Sequence, residues 1–147
     1  MLGIQEAVTK FNTIINRLLT EFERGGISNI NSAEIRRIKN RVSVLRTTLG
    51  SAEPLRLAAP VFIDYREQIL TRDEEFLAGV DVREEHAKKH KDDPASAKPK
   101  EEDNYAFELF DAVRQHYQQS TPQRKDELYS KVNDLLFCSL SYCAASM

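Results

Sequence analysis

"IQEAVTKFNTIINRLLTEF", Ile4 to Phe22, is the stretch whose reading decides the fold class. Its apolar residues Ile4, Val8, Phe11, Ile15, Leu18 and Phe22 recur at steps of four, three, four, three and four. On a helix of about 3.6 residues per turn those steps keep one stripe facing a partner. Gly25-Gly26 follows, and glycine accepts the left-handed conformation that ends a helix at little cost. Asn31 and Glu34 have the spacing of a capping box, which opens a second helix. There Ile35, Ile38, Val42, Leu45 and Leu49 repeat the three-four alternation. Two such seams joined by a short glycine loop predict an antiparallel helical hairpin.

Gly50 closes the second helix, and Pro54 and Pro60 follow it. Each proline disturbs a helix passing through it, so a turn is expected over 54–59 and a third helix from about Pro60. Phe62, Tyr65, Ile69, Phe76 and Val80 mark the buried stripe of that helix, and the pattern dissolves after Val82. From Arg83 to Asn104 no apolar side chain exceeds alanine, two prolines interrupt, and charges of both signs crowd together. Such a segment buries too little to offset its ordering entropy and reads as a charged linker. Beyond it, Ala106, Phe110, Val113 and Tyr117 predict a fourth helix. Thr121-Pro122 supplies an N-cap and a first-turn proline for a fifth helix through Leu128, Val132, Leu135, Leu136 and Leu140. The expectation is an all-α protein: a three-helix region over 1–82, a charged linker over 83–104 and a C-terminal helical hairpin over 105–147. No run reads as a strand.

Composition narrows the function classes. The 147 residues are 41% hydrophobic and 30% charged, with a net charge of −2, so no global field draws the chain to nucleic acid. The charge is uneven. Residues 1–50 carry eight Lys/Arg against four Asp/Glu, and residues 51–104 carry nine against fourteen. Cys138 and Cys143 are five positions apart. That offset turns them about 140° from one another on a helix, which predicts reduced thiols pointing apart. No charged n-region with an apolar h-region opens the chain, and the longest uncharged run, Leu135 to Met147, is too short and serine-rich to span a bilayer. A soluble, intracellular protein without a membrane span is expected.

Several residue groups carry candidate chemistry. His86 and His90 have helical metal-pair spacing, but a zinc site needs a third and usually a fourth ligand, and none lies near in sequence. No metal or other cofactor is expected. Arg36, Arg37, Lys39, Arg41 and Arg46 decorate the second helix and form a basic face for phosphates or an acidic partner. The helix has no aromatic residue interleaved with them, which favours a protein-binding or solvated face over nucleic acid. The linker lysines, Lys88, Lys89, Lys91, Lys98 and Lys100, alternate with acids and so make a polyampholyte rather than a basic arm. No nucleophile-base pair, phosphate loop or CxxC pair is visible, so a non-enzymatic protein is expected.

The acidic run Asp73-Glu74-Glu75 resolves by rotation if residues 62–80 form one helix, at about 100° per residue. Glu75 then faces water, Glu74 lies on the flank, and Asp73 falls on the apolar stripe with Tyr65 and Phe76. A carboxylate there is costly unless a cation or donor meets it. Arg66 stands two turns away, so Asp73 is expected to be met from another element. Tyr65, Arg66, Asp73 and Phe76 are thus the candidate structural or interface anchors.

The segment "FIDYREQILTRDEEFLAGVDVREE", Phe62 to Glu85, resembles a segment of small helical proteins of nucleocytoplasmic large DNA viruses. Phe62, Tyr65, Arg66, Gln68, Ile69, Leu70, Arg72, Asp73, Glu74, Phe76 and Asp81 carry the resemblance, which departs at Leu77, where a second aromatic often stands. It implies a virion or infected-cell protein, with a minor capsid role and capsid proteins or further copies of the chain as partners. It supplies no catalytic residue. The second reading is a nucleic-acid-associated or regulatory protein that uses the basic face of the second helix.

Overall fold

The computed structural model describes residues 2–24, 32–79 and 105–146, and among these it has seven helices and no strand. The long apolar stripe of the N-terminal segment forms α1, Ile4–Arg24. Val8, Phe11, Ile15, Leu18 and Phe22 are buried as the pattern requires, joined by Ala7 and Leu19, while Ile4 stays 39% exposed at the helix start. α2, Ser32–Leu49, buries Ile35, Ile38 and Val42, but the seam fades beyond Val42. Leu45 is half-buried there and Leu49 is 64% exposed. Glu23 near the end of α1 meets Arg36 and Lys39 in the first half of α2, each at 3.1 Å. Asn12 in the middle of α1 donates from Nδ2 to the Ser51 carbonyl just past α2, at 2.8 Å. The glycine loop, Asn31, Val80 and the whole 83–104 segment lie outside the described residues, and with them the capping box, His86, His90 and Asp81.

The third region departs from expectation at both ends. Gly50, at φ +113°, ends α2 in a conformation that side chains rarely adopt. Instead of a turn over 54–59, the chain enters α3, Glu53–Asp64, with Pro54 in the first turn. Pro60 sits inside that helix rather than at its start. It is exposed, so the Arg56 carbonyl that loses its N–H partner remains open to water, which lowers the cost of an internal proline.

The expected continuous helix over 62–80 is replaced by three short pieces. α3 ends at Asp64, α4 spans Arg66–Leu70, and α5 spans Glu74–Gly79. The break after α4 has a definite geometry. Asp73 N–H donates to the Gln68 carbonyl at 2.9 Å, and Arg72 N–H donates to the Ile69 carbonyl at 3.1 Å. These are the two bonds of a Schellman C-cap, with Arg72 at φ 52° in the left-handed position that usually holds glycine. Asp73 then starts α5. Its Oδ1 accepts the Phe76 N–H at 3.3 Å, and its carbonyl accepts the Leu77 N–H at 2.9 Å. The expectation that Asp73 lies on the buried stripe is therefore corrected: its side chain is exposed and caps its own helix. Three short helices stand where one uninterrupted helix was expected, and the break turns Asp73 to solvent.

Beyond residues 80–104, α6 spans Tyr105–Gln119 and α7 spans Pro122–Ser146, with Thr121 Oγ1 accepting the Arg124 N–H at 3.3 Å as the N-cap. α7 packs mainly on α3 and α1 and only lightly on α6. Residues from both sides of 80–104 enter one apolar core. At its centre the Phe62 ring meets Phe11 edge-on at 6.4 Å and Phe110 at 4.8 Å. Phe76 meets Phe110 at 6.1 Å and stacks on Tyr65 at 5.1 Å. Tyr105 donates its buried hydroxyl to the Pro54 carbonyl at 2.6 Å, which pins the start of α6 to the start of α3.

Two stability outcomes follow from this geometry. Phe62→Ala empties the junction of α1, α3 and α6, and urea denaturation is expected to show a loss of about 3–5 kcal/mol. Asp73→Ala is expected to cost about 1 kcal/mol as the loss of an N-cap, whereas Asp73→Asn, which can still accept the Phe76 N–H, is expected to change stability by only about a few tenths. Equal losses for the two Asp73 variants would contradict the capping role.

Candidate interaction surface

Three faces of α2 stand in different surroundings, and the five cations expected to form one basic face are divided among them. The first face turns to α1. Arg36 and Lys39 share Glu23 there, and Lys39 also reaches Thr20 Oγ1 at 3.4 Å. The two cations hold the Glu23 carboxyl below its ordinary value. On the second face Arg41 lies 3.3 Å and Arg37 3.8 Å from Glu108 Oε1, on α6. Arg46 faces the crevice between α1 and α2, and among the described residues it forms no ion pair.

The outer side of α2 is open. A shallow groove of about 490 Å³ runs along it, lined by Ala33, Arg36, Arg37, Asn40, Arg41 and Val44 together with Leu45. Val44 is 59% exposed there. Cationic and apolar side chains thus lie side by side on the C-terminal half of the helix. Arginine stands beside uncovered aliphatic surface there.

The Tyr65–Phe76 region is a fastening point rather than a cleft. Tyr65 and Phe76 are buried, while Arg66 is exposed and donates to the Ile63 carbonyl at 2.9 Å. Arg72 is the organising side chain, and among the candidate anchors the sequence reading passed over it. Its guanidinium pairs with Asp126 of α7 at 2.6 Å, approaches Glu74 at 3.4 Å and lies 4.9 Å from the centre of the Tyr129 ring. The Tyr117 hydroxyl donates to the Glu74 carboxylate at 2.8 Å and accepts from Arg72 at 3.4 Å. Burial, with Glu74 beside it, pushes the Tyr117 hydroxyl up, against the pull of Arg72. The hydrogen bonds to Tyr117 and Asp126 hold Arg72 above its usual value. These contacts fix the α4–α5 turn to α6 and α7, so a residue with unfavourable backbone geometry is held by its side chain.

Two further groups are buried without an evident surface role. His116 is 5% exposed, stacks on Phe22 with ring centres 3.8 Å apart, and donates from Nδ1 to the Ala112 carbonyl at 3.2 Å. Its Nε2 is buried without a partner among the described residues. Burial lowers its pKa, Arg124 adds to that effect, and the Ala112 and Phe22 carbonyls oppose it. Cys138 is buried, and burial pushes its thiol up to about 11, which makes it an inert packing group; Cys143 is half-buried, and both are free. Among the described residues no group of three or more His, Cys, Asp or Glu side chains could hold a metal ion, and no helix is long and apolar enough to cross a membrane.

Comparison with protein-family models, with curated proteins and with solved structures finds no match to this chain.

Because His116 is kept neutral by the fold, the unfolded chain takes up its proton first as pH falls. Stability is therefore expected to drop below about pH 6.5, the unfolded value, with a slope of up to about 1.4 kcal/mol per pH unit until the folded histidine itself protonates. Urea titrations between pH 7.5 and 5 should show the drop in the wild type and not in His116→Phe. An identical slope in both would remove His116 as its source. Glu21, Glu23 and Glu53, whose folded values are lowered, act in a separate window, where stability is lost as pH falls below about 4.5.

Proposed function

We propose that this chain is a non-enzymatic helical interaction protein that docks a partner protein on the outer face of α2. The observation that carries the proposal is the open groove where Arg37 and Arg41 adjoin the exposed Val44 and the half-buried Leu45. The chain's own core uses only Ile35, Ile38 and Val42 of this helix fully, so its C-terminal half presents aliphatic surface that a partner can cover. The partner's matching surface carries apolar side chains and carboxylates. A nucleic-acid reading of the same face is weaker, because its Arg36, Arg37 and Arg41 are each already paired with Glu23 or Glu108 and no aromatic side chain lines the groove. The virion setting, with a minor capsid component and capsid proteins as partners, rests on the resemblance of Phe62 to Glu85 to small helical viral proteins.

The test is cross-linking mass spectrometry on virions and infected cells, combined with Val44→Asp and Arg37→Ala substitutions. Cross-links from α2 to one partner protein are expected, and each substitution is expected to reduce them at least about fivefold with thermal stability unchanged. Absence from particles would sink the capsid role. Unchanged cross-linking in both variants would sink the α2 surface itself, and salt-sensitive retention of DNA or RNA on electrophoresis would favour the nucleic-acid reading.

A further inference from the structure

On the side of α2 turned to α1, adjoining the outer groove at Asn40, lies a crevice with a character of its own. It consists of two lobes of about 340 and 240 Å³, and Asn12, Asn16 and Arg46 line both. Thr9, Thr13 and Arg17 of α1 widen the first lobe, and Lys39, Asn40 and Ser43 of α2 close the second. No carboxylate and no aromatic residue lines either lobe. Lys39 is engaged by Glu23, but among the described residues Arg17 and Arg46 form no ion pair. The crevice therefore combines uncompensated positive charge with side-chain amides.

The amides carry the second half of the argument. Asparagine is a poor residue inside a helix, because its side chain competes for backbone hydrogen bonds. Three of them nevertheless stand on the walls of this one crevice, Asn12 and Asn16 one turn apart on α1 and Asn40 on α2. Asn12 spends its amide N–H on the Ser51 carbonyl, and its Oδ1 is buried with no donor among the described residues. An acceptor in that state is met once the side chain turns toward a crevice ligand that brings a donor. A bare carboxylate brings acceptors only, and inorganic phosphate brings mostly acceptors beside its hydroxyl. A peptide backbone offers an N–H and a carbonyl at every residue, and a carboxamide can pair with both.

We infer that the α1–α2 crevice binds an extended acidic peptide segment, its backbone paired with Asn12, Asn16 and Asn40 and its carboxylates with Arg17 and Arg46. The inference rests on the reading of the chain as a protein-binding module and names the chemistry of the segment it takes. Single-stranded nucleic acid is disfavoured at this site because neither lobe has an aromatic platform for a base.

The test uses the full chain labelled for NMR at low ionic strength, with a decaglutamate peptide, a decalysine peptide and a ten-nucleotide oligouridylate as probes. Decaglutamate is expected to shift the side-chain amide signals of Asn12, Asn16 and Asn40, and decalysine to leave them in place. Arg17→Ala with Arg46→Ala should weaken binding at least about tenfold, and Asn16→Ala by about threefold to tenfold. All three positions are exposed, so these variants are expected to keep the fold. Shifts confined to Arg37, Arg41 and Val44 would overturn the crevice inference while leaving the outer-face docking intact. Oligouridylate shifting the crevice amides where decaglutamate does not would replace the peptide by nucleic acid. No shift with any probe would overturn the inference outright, whereas failure of the outer-face cross-links with the amide shifts present would overturn only the outer docking surface.

Discussion

The contact on which the other elements depend is the packing of Phe62 between Phe11 and Phe110. It joins a helix that precedes residues 80–104 to one that follows them, and from there the ring series continues through Phe76 to Tyr65. For Tyr65 and Phe76 to stack on each other they must approach from opposite ends of an eleven-residue step, which a single straight helix would hold about 16 Å apart along its axis. The chain has to turn between them. The Schellman break at Arg72 provides that turn, and the Asp73 cap restarts the helix in its new direction. What looked like an acidic cluster is therefore a consequence of closing an aromatic core.

The polar contacts mostly orient helices that apolar burial already holds. Glu21 of α1 accepts from Arg124 at 2.6 Å and from Lys131 at 3.0 Å, both on α7, and its carboxyl is lowered by those partners despite partial burial that acts the other way. Such partly exposed pairs contribute modestly, because water screens them and long side chains lose freedom in forming them. Their value is directional. Glu21 sits near the end of α1 and meets the first half of α7, while Leu2 N–H at the other end of α1 reaches Ser141 Oγ at 3.4 Å. The two long helices are thereby fixed in opposite directions over most of their length. Tyr105 acts in the same way at the junction of α6 with α3, where its hydroxyl has to find an acceptor because the whole side chain is buried.

Legibility in the sequence followed the length of the periodic run. α1, α6 and α7 could be read from apolar spacing, and the Thr121 cap and Gly50 stop were visible as residue types in the right places. The reading failed where two signals compete over a few residues. Pro54 and Pro60 are both compatible with a helix, one in the first turn and one on a wet face, and sequence alone cannot say which face Pro60 takes. The apolar positions 62, 65, 69 and 76 fit one stripe and also fit three short helices, and Arg72, lacking the glycine that usually marks a left-handed residue, gave no warning. The basic residues of α2 were recognisable as a group. Their division among Glu23, Glu108 and an open crevice depends on contacts from α1 and α6 that no local pattern encodes. One signal was present and unused: asparagines at 12, 16 and 40 within otherwise strong helices carry a propensity cost with no local return.

The proposed docking role of α2 fits the way its surface is divided. A helix that served only the core would be covered along its length, as α3 is, with Leu55, Ala58, Ala59, Val61 and Phe62 all buried. α2 instead gives three residues fully to the core and leaves the rest of its surface to two unlike environments, one aliphatic and cationic, the other lined by amides and cations. Arg46, Asn40 and Ser43 stand on the amide side, and Arg37, Arg41 and Val44 on the other, with Asn40 bordering both. A partner segment that crossed the crevice and folded over the helix would therefore meet first a surface that reads backbone and negative charge, then one that takes apolar side chains. Backbone pairing is tolerant of sequence, and apolar burial is selective for shape. On the proposed reading, the two adjacent faces of one helix would divide attachment from discrimination.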